Sequence, residues 1–284
     1  MKINVMIRLM AILTLLALGL CGCNVKEEPT ETPSEVETPT ETQKPTSRPT
    51  AKPTSKPTSK PTEKQTQETT AKKRVAITFD DGPDDLNTKL LVDALDSYGF
   101  NSTFFVVGKK LDGTKLDGSE ILKYAVEKGN EIGIHAYSNS TPYGDTCSDE
   151  VYEEEISKTE KAIHDILPDY EIDLMRPVQG KITDQRVADS EYAVILWSID
   201  TYDWKYNGRA TEEEKEANIK TIVDKVLNNV KDGDIILMHD VHDNSYEAAL
   251  ILFEELYLRG YELVTVSELI GDDLEAGKKF RRAE

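Results

Sequence analysis

From residue 73 onward, short apolar runs alternate with longer stretches in which apolar residues recur every three or four positions. The apolar runs at 74–79, 102–107, 131–134, 173–176, 193–199, 234–238 and 262–265 predict strands. Most are continuously apolar, as strands buried on both faces of a parallel sheet are. The amphipathic stretches 87–98, 119–128, 149–167, 212–230 and 245–259 predict helices, and Gly99, Gly129 and Gly260 stand where C-terminal caps belong. Seven β/α units in about 200 residues predict an α/β fold, a barrel slightly smaller than the usual eightfold one, with a doubly wound open sheet as the competing topology. In either fold a ligand site forms at the C-terminal ends of the strands.

The first 72 residues do not continue this pattern. Lys2 and Arg8 precede an apolar run from Leu9 to Leu20, which is short for a membrane-spanning helix but suits a secretory signal. That run closes on Leu20-Cys21-Gly22-Cys23 and resembles a bacterial lipoprotein cleavage box, with Cys23 as the acylated residue; an ordinary secretory signal is the alternative. Cys21 is the poorer acceptor, because bulky Leu20 precedes it where a small residue is preferred. From Lys26 to Lys72 there are almost no large apolar residues, and 8 of the 12 prolines fall here, several in the repeat Lys44-Pro-Thr-Ser, Arg48-Pro-Thr-Ala, Lys52-Pro-Thr-Ser. Such a segment cannot bury a core and predicts an extended spacer of roughly 100–150 Å maximum reach. The expected organisation is therefore a signal over 1–22, a lipid-anchored spacer over 23–72 and one domain over 73–284.

Charge narrows the partners. Of 34 Lys and Arg and 53 Asp and Glu, the first 72 residues hold 10 and 8, leaving 24 basic and 45 acidic residues, a domain charge of −21. That argues against nucleic acid and polyanionic wall polymers as partners, since both need basic surfaces. With Cys21 removed and Cys23 acylated, only Cys147 remains, so no internal disulfide is expected.

Polar residues collect at the predicted strand ends. The first strand ends in Asp80-Asp81-Gly82-Pro83, where Gly and Pro break the ladder; taken alone, the same run is equally good turn chemistry. His135 follows the third strand, Arg176 and Gln179 the fourth, Asp200 and Trp204 the fifth, and His239 the sixth. His164, in mid-helix, reads as an ordinary surface or packing residue.

On Thr78-Phe-Asp-Asp-Gly-Pro83, the Gly99 to Gly108 run and the closing Gly260 to Leu269 run, the domain resembles the polysaccharide deacetylases of the NodB-homology type over residues 73–271. The resemblance implies a distorted (β/α)7-type barrel that removes acetyl groups from N-acetylated sugars. A divalent metal would polarise the acetyl carbonyl and lower the pKa of a bound water. Asp81 and His135 would be metal ligands, with Asn139 at the third ligand position, and zinc would be the first choice ahead of cobalt, manganese or nickel. Asp80 would be the base, with Arg176 holding it ionised and oriented. His239 would be the general acid, with Asp200 as its partner. A backbone amide near Gln179 would meet the developing oxyanion, and Trp204 would wall the sugar groove.

Two departures bear on activity. The family's second motif usually supplies two histidines, but here it reads His135-Ala136-Tyr137-Ser138-Asn139, with an amide where the second imidazole belongs. Zinc affinity should fall accordingly. Val178 and Gln179 likewise replace a proline and an aromatic. The expected protein is a monomeric hydrolase at the outer face of the cytoplasmic membrane, bound there only by its lipid, acting on peptidoglycan or another acetylated glycan. A glycan-binding module without turnover and an O-deacetylase acting on xylan are the alternatives.

Overall fold

The computed structural model describes residues 72–111, 118–206, 208 and 210–284. The predicted signal, Cys23 and all but the last residue of the predicted spacer lie outside the described residues.

Among the described residues, nine strands form a curled parallel sheet: β1 (Lys73–Asp80), β2 (Thr103–Val107), β3 (Glu131–Ala136), β4 (Leu174–Met175), β5 (Ala193–Ile195), β6 (Ile199–Asp200), β7 (Ile235–His239), β8 (Tyr261–Leu263) and β9 (Lys279–Phe280). Their order is β6-β7-β1-β2-β3-β4-β5-β9, with β8 paired to the opening residues of β1. The helices are α1 (Asn87–Tyr98), α2 (Gly118–Glu127), α3 (Asp149–Ile166), α4 (Asp184–Ala188), α5 (Glu212–Leu227), α6 (Asp243–Leu258) and α7 (Val266–Ile270). The barrel expectation holds, and Gly99, Gly129 and Gly260 all have positive φ at their helix ends.

The continuous apolar runs hide a period of two. On β1, Val75, Ile77 and Phe79 join the outer core with Leu91, Val92 and Leu95 of α1, while Ala76 joins the inner core of the barrel. Burying each large side chain is worth about 1.5–3 kcal/mol. The same alternation puts Phe104 and Val106 outside and Phe105 inside on β2, and Met175 outside and Leu174 inside on β4. Asp80, His135, Arg176 and His239 all continue the inner phase of their strands. They form the polar layer that caps the inner apolar core.

The predicted strand 193–199 is two strands. β5 pairs with β4, but β6 pairs with β7, so the chain must swing across the barrel at Leu196-Trp197-Ser198. The gap this leaves is filled by the C-terminal tail, which no predicted element covered. β9 pairs with β5, Arg282 bridges to Asp234, and Ala283 N donates to Gly233 O at 2.8 Å. The short helices α4 and α7 also went unpredicted, because five residues are too few to show a helical period.

Candidate active site

The two adjacent aspartates separate as soon as the strand ends. Asp80 keeps the extended conformation of β1 and is buried, while Asp81 turns into the left-handed region (φ 74°) and reaches the rim. Arg176, fully buried, holds the first. Its Nη1 donates to Asp80 Oδ1 (2.8 Å) and Thr78 Oγ1 (2.6 Å), while Nε and Nη2 donate to Ile195 O and Leu196 O. These two carbonyls sit at and just beyond the end of β5, so one guanidinium both repairs that break and orients Asp80. Its carbon lies 4.1 Å from the centroid of the Phe105 ring. A Cβ on Gly133 would come within 2.7 Å of that ring, so the glycine leaves space for this stack.

His135 sits at an irregularity. Val106 pairs with Ile134 but Val107 with Ala136, so β3 carries an extra residue, and a bulge of this kind re-aims a side chain. Its Nδ1 lies 2.8 Å from Arg176 O, which fixes the proton there, and its Nε2 lies 3.2 Å from Asp81 Oδ1. Burial disfavours the imidazolium, but Asp80 and Asp81 outweigh it and raise the His135 pKa. Burial likewise opposes the Asp81 charge, yet His135 more than offsets it and the carboxyl falls to about 2. Asn139, also left-handed (φ 56°), donates from Nδ2 to Asp81 Oδ1 at 2.7 Å. Glu155 of α3 holds this loop, accepting from Tyr137 N, Ser138 N and Ser138 Oγ at 2.9, 2.8 and 2.5 Å.

Asp81, His135 and Asn139 therefore converge as expected, and the donor set fits a divalent cation. One carboxylate and one imidazole with its far nitrogen already pinned are paired, and the third member is an amide that must turn its oxygen inward to ligate. Among the described residues, no group of three or more His, Cys, Asp or Glu could hold a metal. A cation here would rest on two strong donors.

The expected partnership of Asp200 with His239 is corrected. His239 Nδ1 lies 2.8 Å from Asp203 Oδ1, and its backbone N donates to Asp203 Oδ2 at 2.8 Å. Asp203 is fully buried, whereas Asp200 accepts from Tyr202 N at 2.9 Å and is only partly buried. The reason is local: β6 ends at Asp200, and the turn through Tyr202 (φ 56°) brings the next acidic residue beneath the imidazole. The signal available in the sequence was the Asp200-x-x-Asp203 spacing, which does not say which of the two faces inward. Burial raises Asp200, while hydrogen bonds from His239 overcome burial to lower Asp203. Burial disfavours the charged His239, but Asp203 outweighs it and lifts the imidazole to about 9. His239 and Asp80 are direct partners on neighbouring strands, so acid and carboxylate stand side by side.

Gln179 (φ 57°) is exposed after β4, and Trp204 is 46% exposed beside Asp203. Among the described residues, the four non-glycine ones with positive φ, Asp81, Asn139, Gln179 and Tyr202, all follow strand ends on this one face of the barrel. Such conformations cost about 1–3 kcal/mol each and gather at functional sites. Asp240, unpredicted, is wholly buried behind them. It accepts from Thr88 Oγ1, and burial raises it to about 7. A Cβ on Gly82 would fall 2.3 Å from its carboxylate, so only glycine fits that turn. Cys147 is a buried free thiol, as expected.

The family model described as polysaccharide deacetylase matches residues 67–194. A peptidoglycan-N-acetylglucosamine deacetylase of Bacillus cereus is 34% identical over 207 residues, covering 70% of this chain and 89% of that protein. Peptidoglycan-N-acetylglucosamine deacetylase PgdA of Listeria monocytogenes is 34% identical over 73% of this chain, which spans only 41% of the length of that relative. The solved structure of peptidoglycan deacetylase PdaC from Bacillus subtilis superposes with a TM-score of 0.61 at 36% identity, covering 70% of this chain and 90% of that one. This chain belongs to the polysaccharide deacetylase family.

Proposed function

We propose that the protein hydrolyses the acetamido group of N-acetylated sugars in a cell-envelope glycan, peptidoglycan first. The observation that carries this reading is the pairing of opposites on adjacent strands: Asp80, fixed by Arg176, beside an imidazole that Asp203 keeps protonated to about pH 9. A proton acceptor and a proton donor poised together are what amide hydrolysis requires. Asp81, His135 and Asn139 would hold a divalent cation, zinc first, which supplies polarisation of the acetyl carbonyl and a more acidic water. Asp80 takes the proton of the attacking water. Arg176 keeps that carboxylate in place, and the Gln179 backbone amide stabilises the developing oxyanion. His239 protonates the leaving amine, and Asp203 stabilises the imidazolium until it does. Trp204 walls the sugar groove. A lipid on Cys23 and the spacer over 23–72 would hold the domain at the outer face of the cytoplasmic membrane.

The test is acetate release from an N-acetylglucosamine oligomer and from peptidoglycan, with and without added zinc, cobalt or manganese. Metal-dependent release is expected; no release with any metal and either glycan rejects the reading. The amide at Asn139 favours a second reading, a glycan-binding module without turnover, because an amide oxygen is a weaker ligand than the imidazole that usually stands there. Asn139→His separates the two. A gain in metal affinity and rate is expected of a deacetylase with a weakened metal site, and glycan binding without release in both proteins supports the module.

A further inference from the structure

Tyr202 has no role in the chemistry above, yet it is the bulkiest residue in the chain's left-handed set and is 39% exposed. A large side chain at positive φ is a true outlier, so the loop holds this ring outward at a cost. Two ammonium groups flank it. Lys205 Nζ lies 4.1 Å from the Tyr202 ring centroid and 5.1 Å from that of Trp204, and Lys225 Nζ, from the last turn of α5, lies 5.4 Å from the Tyr202 centroid. Neither lysine has a carboxylate within ion-pair distance among the described residues. Other exposed lysines, such as Lys89, Lys158, Lys161 and Lys220, are paired to an acid four residues on or back. Lys205 is near enough to favour the ionised form of Asp200, and the two ammonium groups gather on one exposed ring in a domain of charge −21. The patch adjoins the acid side of the site, since Asp200 binds Tyr202 N and Asp203 binds both Trp204 N and His239.

We propose that Lys205 and Lys225, held over the Tyr202 ring, form a subsite for a carboxylate-bearing sugar unit, the two ammonium groups receiving the carboxylate while the exposed Trp204 ring beside them meets the sugar face. This rests on the reading of the site as a glycan deacetylase and narrows its substrate to glycans carrying acidic substituents. The negative domain repels anionic chains in general, so affinity for one arises only where this local pair meets it. Neutral acetylated polymers would lack the second contact.

Calorimetric binding tests the subsite without requiring turnover. The probes are a soluble glycan fragment of peptidoglycan with free carboxylates, the same fragment with those carboxylates amidated, and an N-acetylglucosamine tetramer. The native protein is expected to prefer the carboxylate form over the amidated form by about 5–10-fold at low salt, as two exposed charge contacts allow, and to lose the preference at high salt. Lys205→Gln with Lys225→Gln should bring the ratio toward one, with folding checked by circular dichroism. Equal affinity for both forms, or a ratio the double variant leaves intact, overturns the proposal. Absence of acetate release with the preference intact would sink only the deacetylase reading.

Discussion

At the scale of single residues, the site is organised by which carboxylate reaches which imidazole. His239 needs its proton to act as acid, and Asp203 rather than Asp200 supplies the stabilisation. The folded imidazole titrates near 9, above its ordinary 6.5, so activity is expected to hold below that value and to fall as pH rises through it. The same shift stabilises the fold, fully below about pH 6.5 and progressively less as pH rises through 9. Asp203→Asn should move the alkaline limb of the kcat/KM profile down toward 6.5 and cost about 10²–10⁴-fold in rate at pH 8. Asp200→Asn should leave that limb nearly in place, since Asp200 accepts from Tyr202 N rather than from the ring and acts on it only through space. A profile that shifts with Asp200→Asn and not with Asp203→Asn would reverse the assignment.

At the scale of elements, the legible part of the fold was what repeats. Apolar runs marked the strands, the left-handed glycines marked the helix ends, and the strand tips drew attention to Asp80, Asp81, His135, Arg176 and His239. What escaped was what depends on tertiary closure. The run 193–199 is apolar except for the exposed Ser198, and one hydroxyl is too little to announce that the chain leaves β4 for β7 there. β9 is only Lys279–Phe280 and exists because a gap in the ring needs a strand. Asp203 escaped because a two-residue strand followed by a left-handed tyrosine has no phase to extrapolate. Glu155 escaped similarly: on α3 it looks like one more acidic surface residue, but it collects the loop that presents Asn139. Glu155→Ala should therefore lower divalent-metal affinity by about 10–100-fold, in the range of lost supporting contacts to a metal site. The midpoint of thermal unfolding should drop only about 2–4 °C, the effect of about 1 kcal/mol in a domain of this size. Isothermal metal titration and calorimetric unfolding measure both; unchanged metal affinity would show that the loop holds Asn139 without this carboxylate.

At the scale of the whole molecule, β1 carries the chain from one end of the barrel to the site at the other. Lys73 is exposed at the opening end of the strand and Asp80 lies at its other end, about 25 Å away at the rise of an extended chain. With Cys23 acylated as proposed, the spacer would decide how far into the envelope the domain reaches. The repeat over 44–63 accounts for roughly 60 Å of that reach at about 3.1 Å per residue. Deleting it removes no residue of the barrel, so the rate on a soluble acetylated oligomer should be unchanged. Deacetylation of the intact envelope should instead fall and become confined to glycan near the membrane, measured as free amines per disaccharide in walls from cells carrying the full or shortened protein. Cys23→Ala in the full-length protein should release it to the medium and abolish that dependence on spacer length. Equal wall deacetylation by the full and shortened anchored proteins would show that the spacer does not set the reach.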